Sequence, residues 1–176
     1  LAQYGGQIME HRRKFIAELA PIAAKNYSEI SHDAEVLQLN YQLCANNTTA
    51  DALAEKLESV KNAELRAGFC LTGPHREDLE ILLDGQPARV FASQGQQRSV
   101  VLSLKMAEAA AAAAITGEHP VLLLDDVLSE LDDGRKQYLL TRMREKQTFV
   151  TSCDDTAFLK TDGEVYRMNG GVLSKI

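Results

Sequence analysis

The sequence predicts an α/β fold, and three observations carry that reading. An apolar run, Val121 to Leu124, ends on the adjacent carboxylates Asp125 and Asp126. That is how a buried parallel strand delivers charge to the edge of a sheet. A strong helical pattern precedes it, beginning near Gln96 to Ser99 and ending at Ile115. Ala107 and Ala109 to Ala114 are excellent helix formers there, and Val100, Val101, Leu104 and Met106 supply the apolar positions. Near the start, Leu37, Leu39, Tyr41 and Leu43 alternate with mostly polar neighbours, the pattern of a half-buried strand over Val36 to Cys44.

The 176 residues suit one domain, or a domain with an appended arm, and a hydrophobic content of 45% is enough for a real core. No run of about 18 apolar residues occurs, so no membrane span is expected. No signal peptide is visible, although a truncated start would hide one. Cys44, Cys70 and Cys153 lack metal-ligand spacing and read as reduced intracellular thiols, so a cytoplasmic location is expected. A net charge of −6 and a pI near 5.2 exclude a generally basic nucleic-acid surface; any DNA contact must come from a local patch.

In chain order, Tyr4 to Lys25 reads as a helix with Ile8, Phe15, Ile16, Leu19 and Ile22 on its apolar side, kinked or interrupted at Pro21. The basic run His11 to Lys14 spreads around more than half a turn and fits a solvated face, with DNA contact as the alternative. After the first strand, Ala50 to Ala67 reads as a helix with Leu53, Leu57 and Val60 inward and Gly68 as terminator. Leu79 to Leu83 and Ala88 to Phe91 flank Asp84-Gly85, a hairpin signal. Gly134 to Lys146 reads as a helix, Gln147 to Ser152 as a strand, and the last residues as a hairpin turning at Asn169-Gly170.

Two elements point to chemistry. Ligands of open α/β sheets bind at the strand ends, and a carboxylate there can hold the Mg²⁺ of a nucleotide. The same run also fits a core strand followed by an acidic loop. Ser93-Gln94-Gly95-Gln96 precedes a long helix, whose N-terminal N–H groups and partial positive charge suit a phosphate. The glycine lets the backbone approach that phosphate and the serine hydroxyl can donate to it; a plain serine cap fits as well. His75 and Arg76 fit a phosphate contact, to nucleotide or DNA, and equally surface pairing of Arg76 with Glu77 or Asp78. No G-x-x-x-x-G-K-[ST] stretch occurs, so these residues lack the loop that cradles β- and γ-phosphates.

The order of these parts is similar to that of ABC-type ATPases. "ASQGQ" resembles the ABC signature with Gln94 in place of the first glycine. "LLLDD" resembles the Walker B strand with Asp126 where most ABC proteins carry glutamate, and "SELD" resembles the D-loop. "TGPHREDLEILLDGQPARVFASQGQQRS", with "LLLDDVLSELD" and "RKQYLL", narrows the likeness to the RecF family of bacterial recombination mediators, related to SMC-type ATPases. The resemblance is close from Phe69 to Ile176 and looser over Leu1 to Gly68.

The resemblance implies the C-terminal lobe of an ABC-type ATPase head (69–176) with a mainly helical arm (1–68), and a further N-terminal lobe carrying Walker A. It implies ATP and Mg²⁺ as cofactors in the complete protein. Asp125 would be the metal-side carboxylate and Asp126 the group that polarises the attacking water. Ser93, Gln94, Gly95 and Gln96 would contact the γ-phosphate held by the opposite subunit of a head-to-tail dimer, with Ser129 and Asp132 in the D-loop. ABC proteins usually place a histidine after the strand ending at Thr151; here a hydroxyl of Thr151 or Ser152 stands in its place. The implied function is ATP-controlled binding of gapped or junction DNA in recombinational repair and the SOS response. RecO and RecR would be partners and RecA the recombinase loaded. The chain alone is not expected to hydrolyse ATP. The other readings are a non-hydrolysing scaffold module, and another SMC-like or transporter-type ABC ATPase.

Overall fold

The structure, a computed structural model, describes residues 1–128, 131–143, 146–153 and 163–176. Helix α1 runs Ala2–Ser31 with Pro21 inside it, so the interruption expected there as one of two outcomes does not occur. Pro21 is exposed and so is Ala17, whose carbonyl loses its helical partner, so water can satisfy that group. The helix continues past Lys25 until His32 and Asp33 adopt left-handed φ values of 54° and 59°. Its buried side is also not quite the expected one. Leu19 is buried, but Ile8 and Phe15 are exposed, and Met9, Ala23, Asn26, Tyr27 and Ile30 take the interior instead.

Strand β1, Leu37–Gln42, pairs antiparallel with β2, Asp78–Leu83, in the register Leu37↔Leu83 to Gln42↔Asp78. Helix α2, Ala50–Ala67, lies between them in sequence. The Thr49 hydroxyl caps it by accepting from the Ala52 N–H at 3.2 Å, and Gly68 ends it with φ 76°. Its start sits against Gly5 and Gly6 of α1. A Cβ on Gly6 would lie 2.9 Å from the Thr48 carbonyl and 3.0 Å from the Ala50 nitrogen, so only glycine permits this approach; one on Gly5 would lie 2.5 Å from Leu53 Cδ2, which would have to shift.

After β2, Asp84 and Gly85 form the expected tight turn, with φ of 49° and 76°. The second hairpin arm differs from expectation. Strand β3 is only Gln86–Pro87, and Ala88–Phe91 is a single helical turn, α3. Pro87 has no N–H to continue the ladder, and its φ of −56° leads into helix. Helix α4, Gln94–Thr116, then packs along α1 and ends at Gly117, φ 77°. Ser99 and Ser103 lie at that contact, and the buried Asn26 side chain donates to the Ser103 carbonyl at 3.2 Å. By length and composition α4 would pass for a membrane-crossing helix, but this face is packed on α1.

Strand β4, Leu122–Asp125, pairs parallel with β5, Thr148–Thr151, and helix α5, Asp133–Met143, connects them. Arg144 and Glu145, expected to continue α5, lie outside the described residues. Strands β6, Tyr166–Asn169, and β7, Val172–Lys175, form the closing hairpin. Its turn is Gly170-Gly171 rather than Asn169-Gly170, because Asn169 still pairs with Val172 while both glycines have positive φ.

Two buried clusters result. One joins Leu19, Ala23, Tyr27, Leu37, Leu83, Ala88, Val100 and Ala107. The other joins Ile30, Leu102, Met106, Leu124, Leu128, Leu131, Leu139 and Met143. Both combine residues from before and after Gly68, and the β1–β2 ladder crosses the same position.

Candidate functional site

The N-terminus of α4 begins one turn earlier than the helical pattern suggested. Ser93 is the N-cap and Gly95 lies within the first turn. The Ser93 hydroxyl accepts from the Gln96 N–H at 3.2 Å, while the Ser93 N–H donates to Gln96 Oε1 at 2.6 Å, a reciprocal capping box. The Gln97 N–H reaches the Ser93 carbonyl at 2.9 Å. This leaves the N–H groups of Gln94 and Gly95 without an intrahelical partner and the Ser93 hydroxyl proton able to donate, three donors at the positive end of a long helix. Ser93 and Gln94 are exposed, whereas Gly95 and Gln96 are half-buried. The Gln96 side chain is turned inward. Its Nε2 donates to the Glu35 carboxylate, which also accepts from the Tyr27 hydroxyl. Burial, and then the bond to Glu35, push the Tyr27 phenol well above its ordinary value.

Asp125 ends β4 directly opposite Thr151, one position later than the expected end of the strand. The Thr151 hydroxyl donates to Asp125 Oδ1 and accepts from the Asp126 N–H at 3.1 Å; the Thr151 carbonyl accepts from the same N–H at 3.2 Å. The hydroxyl proton of Thr151 is therefore committed to Asp125. Asp126 turns the chain out of the sheet with a left-handed φ of 49°, a conformation that aspartate tolerates better than most residues. Asp125 is exposed and Asp126 half-buried, so the adjacent acids point into different surroundings.

Leu128 and Leu131 anchor the following turn in the core, and Ser129 between them lies outside the described residues. Asp132 opens α5. Its Oδ1 accepts from the Arg135 N–H at 2.9 Å, and its carboxylate pairs with Arg135 Nε at 3.3 Å. His75 and Arg76 occupy a single 3₁₀ turn, Pro74–Arg76. Arg76 pairs with neither Glu77 nor Asp78. It donates to the Cys70 carbonyl at 3.0 Å, with its guanidinium 5.4 Å from the Phe69 ring centre. Glu77 is taken elsewhere: its fully buried side chain lies 3.7 Å from Arg12 and accepts from the Tyr41 hydroxyl and the Cys44 N–H. Burial, and then Glu77, push the Tyr41 phenol up to about 12.

One open cleft of about 470 Å³ runs between α4 and the end of β4. Gln94, Gln97, Arg98, Val101 and Lys105 of α4 form one side, and Leu124 and Val127, which bracket the two acids, form the other. For a divalent ion, the oxygen donors of Asp125 and Thr151 are of the hard type that Mg²⁺ prefers. Among the described residues no group of three His, Cys, Asp or Glu side chains gathers to hold a metal by itself. Glu35 and its bond to Gln96 escaped sequence reasoning, because a carboxylate 61 positions away leaves no signal in spacing.

The fold is that of an ABC- or SMC-type ATPase head. An SMC head described in work on ATP-driven dimerization and DNA-stimulated activation of SMC ATPases matches at TM-score 0.56 and 16% identity, covering 93% of this chain and 84% of that one. No family model matches the chain. Within the class the chain is similar to RecF proteins. The chain is 41% identical over 163 residues to the DNA replication and repair protein RecF of Lactobacillus acidophilus, covering 88% of this chain and 44% of that protein. It is 37% identical over 185 residues to RecF of Staphylococcus aureus, covering 99% and 50%. A solved structure of the recombination mediator protein RecF-ATP in the RecFOR pathway superposes at TM-score 0.82 with 34% identity, covering 100% of this chain and 48% of that one. The chain thus spans about half the length of the curated relatives it matches.

Proposed function

We propose that this chain supplies the C-terminal half of an ATP-dependent recombinational repair protein of the RecF type. In this reading, sequence outside the chain supplies the phosphate loop, and residues 1–68 contribute an arm to the lobe formed by 69–176. The observation that carries the proposal is the capped N-terminus of α4, which leaves the Gln94 and Gly95 N–H groups without an intrahelical partner and the Ser93 hydroxyl proton able to donate. Ser93, Gln94 and Gly95 offer donors to a γ-phosphate held by a second subunit. Asp125, steadied by Thr151, would hold the ion, and Asp126 would polarise the attacking water. Mg²⁺, when bound with ATP, supplies neutralisation of phosphate charge. Asp132 sits at the dimer seam near the start of α5, and His75 and Arg76 offer a local phosphate contact on a chain of net charge −6. ATP closes the dimer on gapped or junction DNA in the cytoplasm, RecO and RecR join it for RecA loading, and hydrolysis releases it.

The test is made in the full-length protein. Asp126→Asn removes charge and keeps shape, so hydrolysis should fall by about 100-fold or more with ATP binding retained. Unchanged hydrolysis would move the water-polarising role elsewhere. Ser93→Arg should leave ATP binding by the monomer intact and abolish ATP-dependent dimerisation in sedimentation. Normal dimerisation would remove this segment from the nucleotide contact.

A further inference from the structure

We infer that Glu35 is a positioning residue for the N-terminus of α4: its carboxylate fixes which way the Gln96 side-chain amide faces, and through it the cap that presents Ser93, Gln94 and Gly95. The inference rests on reading that terminus as a nucleotide contact, and it adds the group that holds it in shape.

The argument starts from the amide. A glutamine side chain has a donor end and an acceptor end of nearly equal size, and its partners decide the orientation. Gln96 must present its carbonyl to the Ser93 N–H, which it meets at 2.6 Å, or the reciprocal half of the cap is lost. At the other end lies Glu35, whose carboxylate when ionised can only accept. A flipped Gln96 would set its carbonyl against an anionic oxygen and its NH₂ against the Ser93 N–H, two repulsive contacts in place of two bonds. Glu35 is itself held. Its second oxygen takes the hydroxyl of Tyr27, a residue fully buried on α1. The order therefore runs from the core through Tyr27, Glu35 and Gln96 to Ser93. Bonds to a charged acceptor are the stronger kind, so the lock is firmer than a neutral cap.

An exchange of donor and acceptor tests this without dismantling the site. In the full-length protein, Gln96→Glu sets two carboxylates face to face. It should raise hydrogen exchange over residues 93–97 and the ATP concentration for half-maximal dimerisation by about tenfold each. Adding Glu35→Gln restores a donor to face Glu at 96, whose other oxygen can still accept from Ser93. The double variant should return both readouts to within about twofold of the parent protein. Glu35→Ala should behave as Gln96→Glu does, with monomer ATP binding unchanged. Absence of rescue in the double variant would overturn the inference, and the exchange pair decides it even where Glu35→Ala does not fold. If exchange follows the expected pattern while Ser93→Arg still dimerises, the positioning role stands and the nucleotide reading of this terminus fails.

Discussion

The α1–α4 region and the β4–β5 pair are built to different standards of closure. Around α1, α4 and the β1–β2 ladder, Leu19, Ala23, Tyr27, Leu37, Leu83 and Val100 interlock from several elements and are buried. The parallel pair is closed on one side only. Leu124 joins the core at 9% exposure, while its neighbour Leu123 is 76% exposed, Phe149 58% and Val121 50%. Parallel strands are normally covered on both faces. The region that holds the fold is thus finished within the chain, and the strand that delivers Asp125 and Asp126 is half finished. The sequence expectation of a fully buried strand here was half right, because an apolar run does not say which neighbour covers each face.

The largest effect should come from breaking the closed region. Leu37→Ala, at 3% exposure, should cost about 2–4 kcal/mol in urea unfolding. Leu124→Ala should cost nearly as much, whereas Leu123→Ala should stay within about 0.5 kcal/mol. The contrast between adjacent residues of one strand measures the asymmetry directly. In the full-length protein proposed above, a covered β4–β5 face would make Leu123→Ala costly as well. An equal, large cost of Leu123→Ala and Leu124→Ala in the chain by itself would contradict the one-sided arrangement.

What was legible in the sequence follows the same division. Helix α2 lies where the spacing of Leu53, Leu57 and Val60 put it, ending at Gly68, because local periodicity and a terminator suffice. Ser93 and Asp125 stand at element ends, as the serine before a helical run and the acid after an apolar run indicate. Local rules failed where a long-range partner decides. Ala88 to Phe91 has strand-like residues, yet Pro87 ends the ladder and Ala88 is drawn into the core as a helical turn. The inward Gln96 and the pinned Asp125 depend on Glu35 and Thr151, which only the fold brings near.

A smaller effect should sharpen the chemical side of the comparison. Thr151→Val keeps the β-branched shape of a strand residue and removes the hydroxyl that joins Asp125 to the Asp126 N–H. The Asp126 N–H keeps the Thr151 carbonyl, so the stability loss should be about 1 kcal/mol. If stability falls as far as it does in Leu37→Ala, Thr151 belongs to the closed core rather than to the site.

The helix that bridges the two regions gives an alkaline signature. Tyr138 of α5 donates to Glu29 of α1 at 2.5 Å, and burial, followed by that bond, pushes its phenol up to about 12. A group raised in the folded state stabilises fully below its unfolded value near 10 and loses that contribution as pH rises toward 12. Unfolding curves from pH 9 to 12 should therefore show a decline that is reduced in Tyr138→Phe. An identical slope in both proteins would mean that this bridge between α5 and α1 does not form.

The smallest effect belongs to the exposed edge of the closed region, and it has the opposite sign with pH. Glu10 accepts from Arg13 at 2.8 Å and 2.9 Å and from the Thr48 hydroxyl at 2.6 Å. The bonds from Arg13, then from Thr48, lower its carboxyl to about 2. A depressed carboxylate stabilises above its unfolded value near 4.5, and the contribution fades as pH falls toward 2. Because Glu10 is half-buried and Arg13 exposed, salt should screen part of the Arg13 contribution and leave the neutral Thr48 bond. Glu10→Gln should flatten the acid limb between pH 4.5 and 2 slightly at low salt, and less so in 1 M NaCl. A difference that does not shrink with salt would assign the effect to Thr48, which sits just before α2, and so to the packing of α2 on α1 rather than to surface charge.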